Sequence, residues 1–292
     1  MTDACAICTG TLGPVILKIA EPDRFERHVG IAADGYRRAW IACEDCGSAT
    51  DVYSDGGRRR LADIASGYYE VDFSGSSIAA KFERVMSMPR SESDNAHRVD
   101  RVLWFLEEWG FASRNGGPVR VLDIGAGTGV FLAKFLEQCA TRGLQIDAVG
   151  VEPDPKAAEH LRSLRRFRVV EGLFTPQLGL SDFSLCTLNK VLEHIPDPIG
   201  LLGTIAHALS PQAGVLYVEV PDVLTAHCRP ASDNVLGALH HHLYTAEGLM
   251  RLAHRAGLET LQINRVFEPS GKISFGAFLA SQATVQRLAG GQ

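Results

Sequence analysis

From residue 119 onward, short apolar segments alternate with segments in which apolar residues recur at helical spacing. The apolar segments predict five strands, over Val119–Ile124, Ile146–Val151, Arg168–Val170, Phe183–Leu188 and Val215–Val220. Helices are predicted to begin at Asp154-Pro155 and Asp197-Pro198, because each pair places a capping side chain before a proline. A last helix is predicted after Thr245, ending at Gly257. Strands that alternate with helices predict an α/β fold with a parallel sheet between layers of helices.

The two ends of the chain depart from this alternation. Near the C-terminus, the apolar runs Glu259–Phe267 and Ile273–Ala280 are joined by a short turn, which predicts an antiparallel pair. The first 75 residues are rich in Cys, Gly and Asp and contain only short strand-like pieces. We therefore predict three parts: a small N-terminal module over 1–75, a helical linker or cover over 76–117, and an α/β domain over 118–292.

The first strand of the α/β part runs into a glycine-rich turn, Gly125-Ala126-Gly127-Thr128-Gly129, which a helix follows. Glycines at this point let the backbone approach a ligand that Cβ atoms would exclude. The spacing is G-x-G-x-G, whereas a dinucleotide-binding turn needs G-x-G-x-x-G and a phosphate loop ends in Gly-Lys-Ser/Thr. Glu152 ends the second strand, where a carboxylate can accept hydrogen bonds from both hydroxyls of a ribose. The alternative is a tight strand–helix turn with a surface acid.

At these residues the sequence resembles the class I S-adenosylmethionine-dependent methyltransferases. The resemblance rests on Val121–Gly129, Gly150–Asp154, Leu188–Ile195 and the terminal antiparallel pair, and it covers roughly residues 119–292. It implies a Rossmann-like, seven-stranded, mostly parallel sheet that ends in an antiparallel hairpin. It also implies S-adenosylmethionine as the cofactor.

The resemblance further implies which residues hold that cofactor. The glycine turn would wrap its methionine end, Glu152 would hold its ribose, and Asn189 would face the sulfonium. The residues expected at this site are Asp123, Gly125, Ala126, Gly127, Gly129, Glu152, Phe174 and Asn189. Gly172-Leu173-Phe174 stands where the family often has an acid near the adenine. Adenine recognition is therefore expected to rest on backbone groups and on packing against Phe174.

Two cysteine pairs, Cys5-x-x-Cys8 and Cys43-x-x-Cys46, lie in the N-terminal module. Each pair can present two thiolates from one tight turn, and two such turns make a closed tetrahedral site for zinc. A module this small has little core, so a structural zinc ion would explain how it folds. The alternatives are chance pairs or redox dithiols. Several bacterial sugar methyltransferases join a four-cysteine zinc module to this cofactor domain, and the chain resembles them in this respect.

Histidines supply the candidate chemistry. His194 directly follows the predicted cofactor-facing strand, and His240-His241-His242-Leu243-Tyr244 precedes the last helix. Removing a proton from an alcohol or a carbon acid needs a base, and histidine suits that task. We therefore predict His194, His240, His242 and Tyr244 as catalytic candidates. The related sugar C-methyltransferases usually read Tyr-His-Glu-His here, and this chain replaces both the tyrosine and the glutamate, so O-methylation is at least as well supported as C-methylation.

Composition limits the remaining choices. The 292 residues carry a formal net charge of −5 and include seven cysteines. No apolar run reaches the roughly 18–20 residues that a membrane helix needs, and the N-terminus shows no apolar leader, which predicts a reducing cytoplasm.

We predict methyl transfer to a sugar-like small molecule, nucleotide-linked or part of a surface glycan. The alternatives are an rRNA or tRNA base methyltransferase that grips RNA with the zinc module, which the net charge disfavours, and a non-catalytic scaffold. Arg58-Arg59-Arg60 is either a solvated turn or a grip for substrate phosphates, and the oligomeric state is left open.

Overall fold

A computed structural model describes residues 4–53, 61, 77–109 and 118–290. For residues 288–290 it describes only the backbone. Eleven strands occur in this part of the chain: β1 Leu12–Ile19, β2 Arg38–Cys43, β3 Ala49–Tyr53, β4 Val119–Ile124, β5 Ile146–Glu152, β6 Arg168–Glu171, β7 Leu185–Asn189, β8 Val215–Pro221, β9 His242–Leu243, β10 Leu258–Phe267 and β11 Ile273–Ser281. The α-helices of the described residues are α1 Arg24–His28, α2 Ile78–Met86, α3 Asp94–Glu108, α4 Val130–Thr141, α5 Pro155–Leu164, α6 Pro198–Ala208, α7 Thr225–Cys228, α8 Ala246–Arg255 and α9 Gln282–Gly290. None of these helices is long and apolar enough to cross a lipid bilayer.

The larger sheet has seven strands in the order β10-β11-β8-β7-β4-β5-β6. Strands β8, β7, β4, β5 and β6 run parallel, and β10 and β11 form the antiparallel edge. This is the predicted Rossmann-like sheet with its terminal hairpin, and the prediction is confirmed. The strand predicted over Val119–Ile124 has those bounds, and the ends of the other predicted strands are within two residues of the observed ones.

The register of this sheet gathers the site residues at one edge. Ile124 of β4 lies opposite Val151 of β5 and Leu188 of β7, so the residues that follow these three reach the carboxyl edge together. Those residues are Gly125, Glu152 and Asn189. Ligands bind beyond the carboxyl ends of the strands in open α/β sheets, so this edge is the expected place for the site.

The smaller sheet is antiparallel, in the order β1-β2-β3-β9. Its first three strands come from the N-terminal module, but β9 comes from the segment between β8 and α8. The pairs Ala49–Leu243 and Thr50–His242 join β3 to β9. The predicted division at residue 75 is therefore crossed by a strand from the α/β part that completes the small sheet.

A buried ionic cluster fixes α3 to the larger sheet. The Glu219 carboxylate at the end of β8 is fully buried. Arg98 and Arg101 of α3 each place a guanidinium nitrogen 2.5 Å from one of its oxygens, and the Tyr217 hydroxyl donates to it at 2.8 Å. These cations offset the cost of burying the carboxylate and hold the pKa of Glu219 well below its usual range. The amphipathic helix predicted before the α/β part is thereby held by charge as well as by its apolar face.

Replacing Glu219 by glutamine should strongly destabilise the fold, because it leaves the buried Arg98 with only the more distant carboxylate of Glu268, 3.7 Å away. We expect a loss of about 3–5 kcal/mol in the free energy of unfolding, measured by urea denaturation at pH 7. The matched control is Glu247→Gln, which removes an exposed carboxylate 2.5 Å from Arg251 and should cost about 0.5 kcal/mol or less. Equal losses of unfolding free energy in the two variants would show that the buried ion pairs stabilise the fold no more than an exposed pair does.

Candidate active site

The glycine turn adopts a backbone conformation that favours glycine at three positions. Gly125, Gly127 and Gly129 have φ values of 71°, 59° and 80°. A Cβ on Gly125 would lie 2.6 Å from Cγ2 of Val191, too close for any real contact. The backbone of the turn therefore depends on the absence of side chains, and this is the property that lets a ligand approach it.

Glu152 closes the turn from the neighbouring strand. Its carboxylate accepts hydrogen bonds from the backbone N–H of Gly127 at 2.7 Å and of Asp154 at 2.9 Å. Burial raises the pKa of this carboxyl, while those two hydrogen bonds act in the opposite direction. The carboxylate predicted to bind a ribose thus lies directly against the glycine turn, where it also connects the turn to the start of α5.

Asp123 and Asn189 form a second polar group beside the turn. Oδ1 of Asp123 accepts hydrogen bonds from Thr187 Oγ1 at 2.6 Å and from Asn189 Nδ2 at 3.0 Å. Burial raises the pKa of Asp123 to about 7. Oδ1 of Asn189 is buried with no hydrogen-bond partner within the described ranges. A ligand beside Gly125 that carries a hydrogen-bond donor would satisfy this oxygen, so the residues present fit the cofactor that the sequence implies.

The predicted cofactor residues Ala126 and Phe174 have apolar side chains. Ala126 is buried in the turn, and Phe174 is partly buried and packs against the main core.

A cavity of 160 Å³ lies beside this edge, where the turn after β7, the end of β8 and the N-terminal module meet. Its polar and charged lining includes Arg24 of α1, Lys190, Glu193 and His194 after β7, His240, and Lys272 before β11. Lys190 directly follows Asn189, so the cavity begins one residue beyond the predicted cofactor contact. This closeness makes the cavity the candidate site for an acceptor molecule.

Two predicted histidines meet at this cavity. The rings of His194 and His240 have centroids 4.5 Å apart. Nδ1 of His194 lies 3.1 Å from the carbonyl oxygen of Leu239, and Nδ1 of His240 lies 2.6 Å from that of Val235. Because a carbonyl only accepts, each Nδ1 carries the proton, and the lone pair of the neutral ring belongs to Nε2. Burial lowers the pKa of His194 to about 4 and that of His240 well below its usual value, so both rings are neutral at pH 7.

Glu193 completes this group. The side chain is 1% exposed, and its Oε2 is buried without a hydrogen-bond partner among the residues that the structure describes. Burial raises the pKa of Glu193 to about 7, and the ammonium of Lys190 opposes that shift. One possible metal-ligand atom from each of Glu193, His194 and His240 lies within 4.8 Å of the other two.

The remaining two catalytic candidates lie away from the cavity. His242 belongs to β9 and is buried, and it is absent from the cavity lining. The Tyr244 hydroxyl is fully buried and donates to the carbonyl oxygen of Leu192 at 3.2 Å. His240 precedes β9 and His242 lies within it, and of the three adjacent histidines only His240 lines the cavity. The structure brings His194 and His240 together at the cavity and buries Tyr244 outside the cavity lining.

The N-terminal module forms one wall of the cavity. Asp23 caps α1 with one carboxylate oxygen and accepts a hydrogen bond from the Ala238 N–H with the other, at 2.7 Å. Arg38 of β2 donates to the carbonyl oxygen of Leu236 at 2.9 Å. These contacts hold the segment before His240 against α1, which presents Arg24 to the cavity.

The four N-terminal cysteines cluster as their spacing predicts. Sγ of Cys5 lies 4.0 Å from Sγ of Cys46, and Sγ of Cys8 lies 3.4 Å from Sγ of Cys43. All four ligand atoms lie within 4.8 Å of one another, and none of these cysteines is in a disulfide. Four sulfurs at about 2.3 Å from a tetrahedral zinc ion would lie about 3.8 Å apart, so the arrangement fits such an ion.

Sequence reasoning missed several cavity residues. Glu193 is adjacent to the predicted His194, but its approach to His240 depends on how the two loops meet. Nothing in the sequence around Lys190 or Lys272 indicated that these lysines would line a cavity. Arg24 was missed because its helix reaches the cavity only through the fold of the N-terminal module. The arginine run Arg58–Arg60 lies outside the described residues.

Comparison with known proteins agrees with the fold and with a methyltransferase domain. Residues 90–263, more than half of the chain, match a family described as a methyltransferase domain. A ubiquinone biosynthesis O-methyltransferase of Idiomarina loihiensis is 26% identical over 210 residues, which are 65% of this chain and 83% of that protein. The corresponding enzyme of Xanthomonas campestris pv. campestris is 33% identical over 107 residues, 34% of this chain. The match spans 42% of the length of that relative.

Solved structures share the fold at low sequence identity. A 1,6-didemethyltoxoflavin-N1-methyltransferase of Burkholderia thailandensis has a TM-score of 0.51 and 20% identity, over 84% of this chain and 95% of that one. A magnesium protoporphyrin IX methyltransferase of Synechocystis PCC 6803 has a TM-score of 0.52 and 10% identity, over 75% of this chain and 99% of that one. Matched over more than half of its length and folded like these enzymes, the chain belongs to the methyltransferase domain family and has the class I S-adenosylmethionine-dependent methyltransferase fold.

Proposed function

We propose that the protein transfers a methyl group from S-adenosylmethionine to a sugar-like small molecule bound in the cavity beside Lys190. The observation that carries this proposal is the position of the cavity. Its lining includes Lys190, which directly follows Asn189 at the carboxyl edge of the sheet, and two neutral histidines. Enclosure between the module and the sheet would align the acceptor and exclude water, which supplies much of the rate of a displacement reaction.

The cofactor would be held by the glycine turn, Glu152 and Asn189. S-adenosylmethionine supplies an electrophilic methyl group on its sulfonium. The open backbone at Gly125 and Gly127 would accept the close approach of the cofactor, and the buried Oδ1 of Asn189 would gain a hydrogen-bond donor. Glu152 stands at the position that the family resemblance assigns to ribose binding.

The charge of the cavity supports an anionic acceptor, such as a nucleotide-linked sugar. Arg24 and Lys272 line the cavity, although the chain as a whole has a formal net charge of −5. The third cation, Lys190, has its Nζ 2.7 Å from a Glu268 oxygen, which offsets its charge. Arg24 and Lys272 add positive charge to the lining of the cavity, which would favour an acceptor that carries a phosphate.

Removal of the acceptor proton is assigned to the pair His194 and His240. Both rings are neutral at pH 7 and carry their lone pairs on Nε2, as a proton acceptor requires. The O-methyltransferase relatives methylate oxygen according to their names, which supports a hydroxyl as the acceptor group over a carbon.

We further propose that the four-cysteine cluster holds a structural zinc ion. Four thiolates leave no open coordination position, so the ion would serve folding rather than chemistry. The cluster lies beside α8, where Thr245 Oγ1 donates to the carbonyl oxygen of Cys46 at 2.5 Å and Arg255 donates to that of Ile7 at 2.7 Å. Zinc would thus fix the module that forms one wall of the cavity.

The direct test uses S-adenosylmethionine labelled on its methyl group, incubated with the protein and a fractionated bacterial extract. We expect label in the nucleotide-sugar or polymeric glycan fraction. Label in RNA alone would overturn the proposed substrate and favour a base methyltransferase. No label in any fraction would contradict the proposed activity.

Replacing Gly125 by alanine should weaken cofactor binding. The added Cβ would be forced against Val191 at a positive φ, a strain of about 1–3 kcal/mol, so we expect at least about tenfold lower affinity for S-adenosylmethionine by calorimetry. Gly203→Ala in α6 is the control, because a Cβ there meets no atom within 4 Å. Unchanged affinity in Gly125→Ala would place the cofactor site elsewhere.

Replacing Cys5 or Cys43 by serine should remove zinc from the purified protein, measured as metal content by mass spectrometry. The same variants should melt at a lower temperature, since metal binding contributes directly to the folding of such modules. The control is Cys228→Ser, which changes an exposed cysteine outside the cluster and should retain one equivalent of zinc. Full zinc content in Cys5→Ser would contradict the assignment.

His194→Gln should lower the rate of methyl transfer by about 10²–10⁴-fold, the range typical of a lost acid–base group. Affinity for S-adenosylmethionine should stay unchanged, because the side chain lines the acceptor cavity and not the glycine turn. His207→Gln, an exposed histidine of α6, is the control and should match the wild type. A normal rate in both His194→Gln and His240→Gln would remove histidine from the mechanism.

A further inference from the structure

Glu193 brings an unsatisfied carboxylate oxygen to the cavity beside Lys190. The residue lines the cavity and is 1% exposed, and its Oε2 is buried without a hydrogen-bond partner in the described segments. Buried carboxylate oxygens are usually hydrogen-bonded, and an unsatisfied one costs free energy until a donor reaches it. A molecule bound in the cavity would supply such a donor, so this oxygen carries information about the ligand.

The donors around this turn are directed to other acceptors. Nζ of Lys190 donates to a Glu268 oxygen at 2.7 Å and to the Ser274 hydroxyl. The backbone N–H of His241 donates to the carbonyl oxygen of Glu193 at 2.6 Å, and therefore satisfies the main chain rather than the carboxylate. The turn is thus held in place while Oε2 of Glu193 is left for a ligand.

The charge and size of the cavity favour a neutral hydroxyl as the missing donor. The cations Arg24, Lys190 and Lys272 line the cavity and would repel a ligand ammonium. A hydroxyl carries no charge, and its hydrogen bond to a carboxylate is of the stronger, charge-assisted kind. The volume of 160 Å³ is about ten times the ~15 Å³ that a single water needs, so the cavity has room for a hydroxylated molecule.

Glu193 also lies close to the groups assigned to removal of the acceptor proton. One carboxylate oxygen of Glu193 and one ring nitrogen of each of His194 and His240 lie within 4.8 Å of one another. The oxygens of adjacent hydroxyls on a sugar ring lie about one hydrogen-bond length apart, ~2.8 Å. A hydroxyl bound to Glu193 would therefore place its neighbour beside the histidines.

We propose that Glu193 selects the acceptor: its carboxylate accepts a hydrogen bond from a hydroxyl adjacent to the one that is methylated. The inference rests on the proposed function and narrows its substrate to molecules with two adjacent hydroxyls, as in a sugar ring. A site built to hydrogen-bond a substrate hydroxyl rejects the analogue that lacks it, because the buried group is then left unpaired. Glu193 binds and orients the acceptor, and removal of the proton stays with the histidines.

The test compares two probes that differ by one hydroxyl, trans-cyclohexane-1,2-diol and cyclohexanol. Their binding to the full-length protein is measured by NMR titration without cofactor, at pH 8. This pH lies above the pKa of Glu193, about 7, so the carboxylate is charged. We expect the diol to bind roughly 10–100-fold more tightly than cyclohexanol, the range that corresponds to a hydrogen bond to a charged group.

Two variants assign this preference to Glu193. Glu193→Gln replaces the charged acceptor by a neutral amide, and the diol should bind at least roughly tenfold more weakly while the affinity for cyclohexanol stays the same. Glu193→Asp keeps the charge but withdraws it by one methylene group, so the preference for the diol should decrease without being lost. The control is Glu247→Gln, which changes an exposed carboxylate of α8 and should bind both probes as the wild type does.

Equal affinity of the wild type for the two probes, including no binding of either, would overturn the proposal. An unchanged preference in Glu193→Gln would do the same. Melting temperature and S-adenosylmethionine affinity show whether each variant is folded, and Glu193→Asp decides if Glu193→Gln does not fold. Because the titration involves no methyl transfer, the diol preference can stand if the labelling experiment fails, and the proposed function can stand if the preference is absent.

Discussion

A buried carboxylate needs nearby cations, and Glu219 imposes this requirement near the end of β8 in the larger sheet. Arg98 and Arg101 of α3 form ion pairs with this carboxylate, and Nζ of Lys190 lies 3.6 Å from one of its oxygens. Lys190 itself has a positive φ of 60°, a strained conformation for a residue with a side chain. Its ion pairs with Glu219 and Glu268 help to hold that conformation. The turn that carries Glu193 and His194 is therefore positioned by charge at the end of β8.

The cavity beside Lys190 has two walls of different origin. One is the strand-end edge of the sheet, which carries His194 and is common to the fold. The other is the N-terminal module, which holds the segment before His240 through Asp23 and Arg38. Cofactor binding and acceptor binding are thus assigned to different parts of the chain, which agrees with a family that shares one cofactor site and differs in its substrates.

The sequence predicted the parts of the fold that depend on local pattern. Periodicity and capping residues located every strand of the larger sheet, and the cysteine spacing predicted a cluster that the structure contains. The two-residue strand β9 was not predictable, because it forms only through pairing with β3. The group of Glu193 and His240 was missed for the same reason, since 46 residues separate them along the chain. Asp123 was assigned to the cofactor from the family resemblance, and in the structure its Oδ1 accepts hydrogen bonds from Thr187 and Asn189.

The shared strand β9 has a consequence for how this protein could be recombined with its relatives. An N-terminal module is often treated as a unit that can be exchanged between enzymes. Here the last strand of the small sheet belongs to the α/β part, so the sheet of a transplanted module would end at β3. The unpaired edge of β3 could then pair with another chain, which promotes aggregation. The exchangeable unit is therefore discontinuous: residues 4–53 must travel together with the segment between β8 and α8, which carries both β9 and the cavity histidine His240.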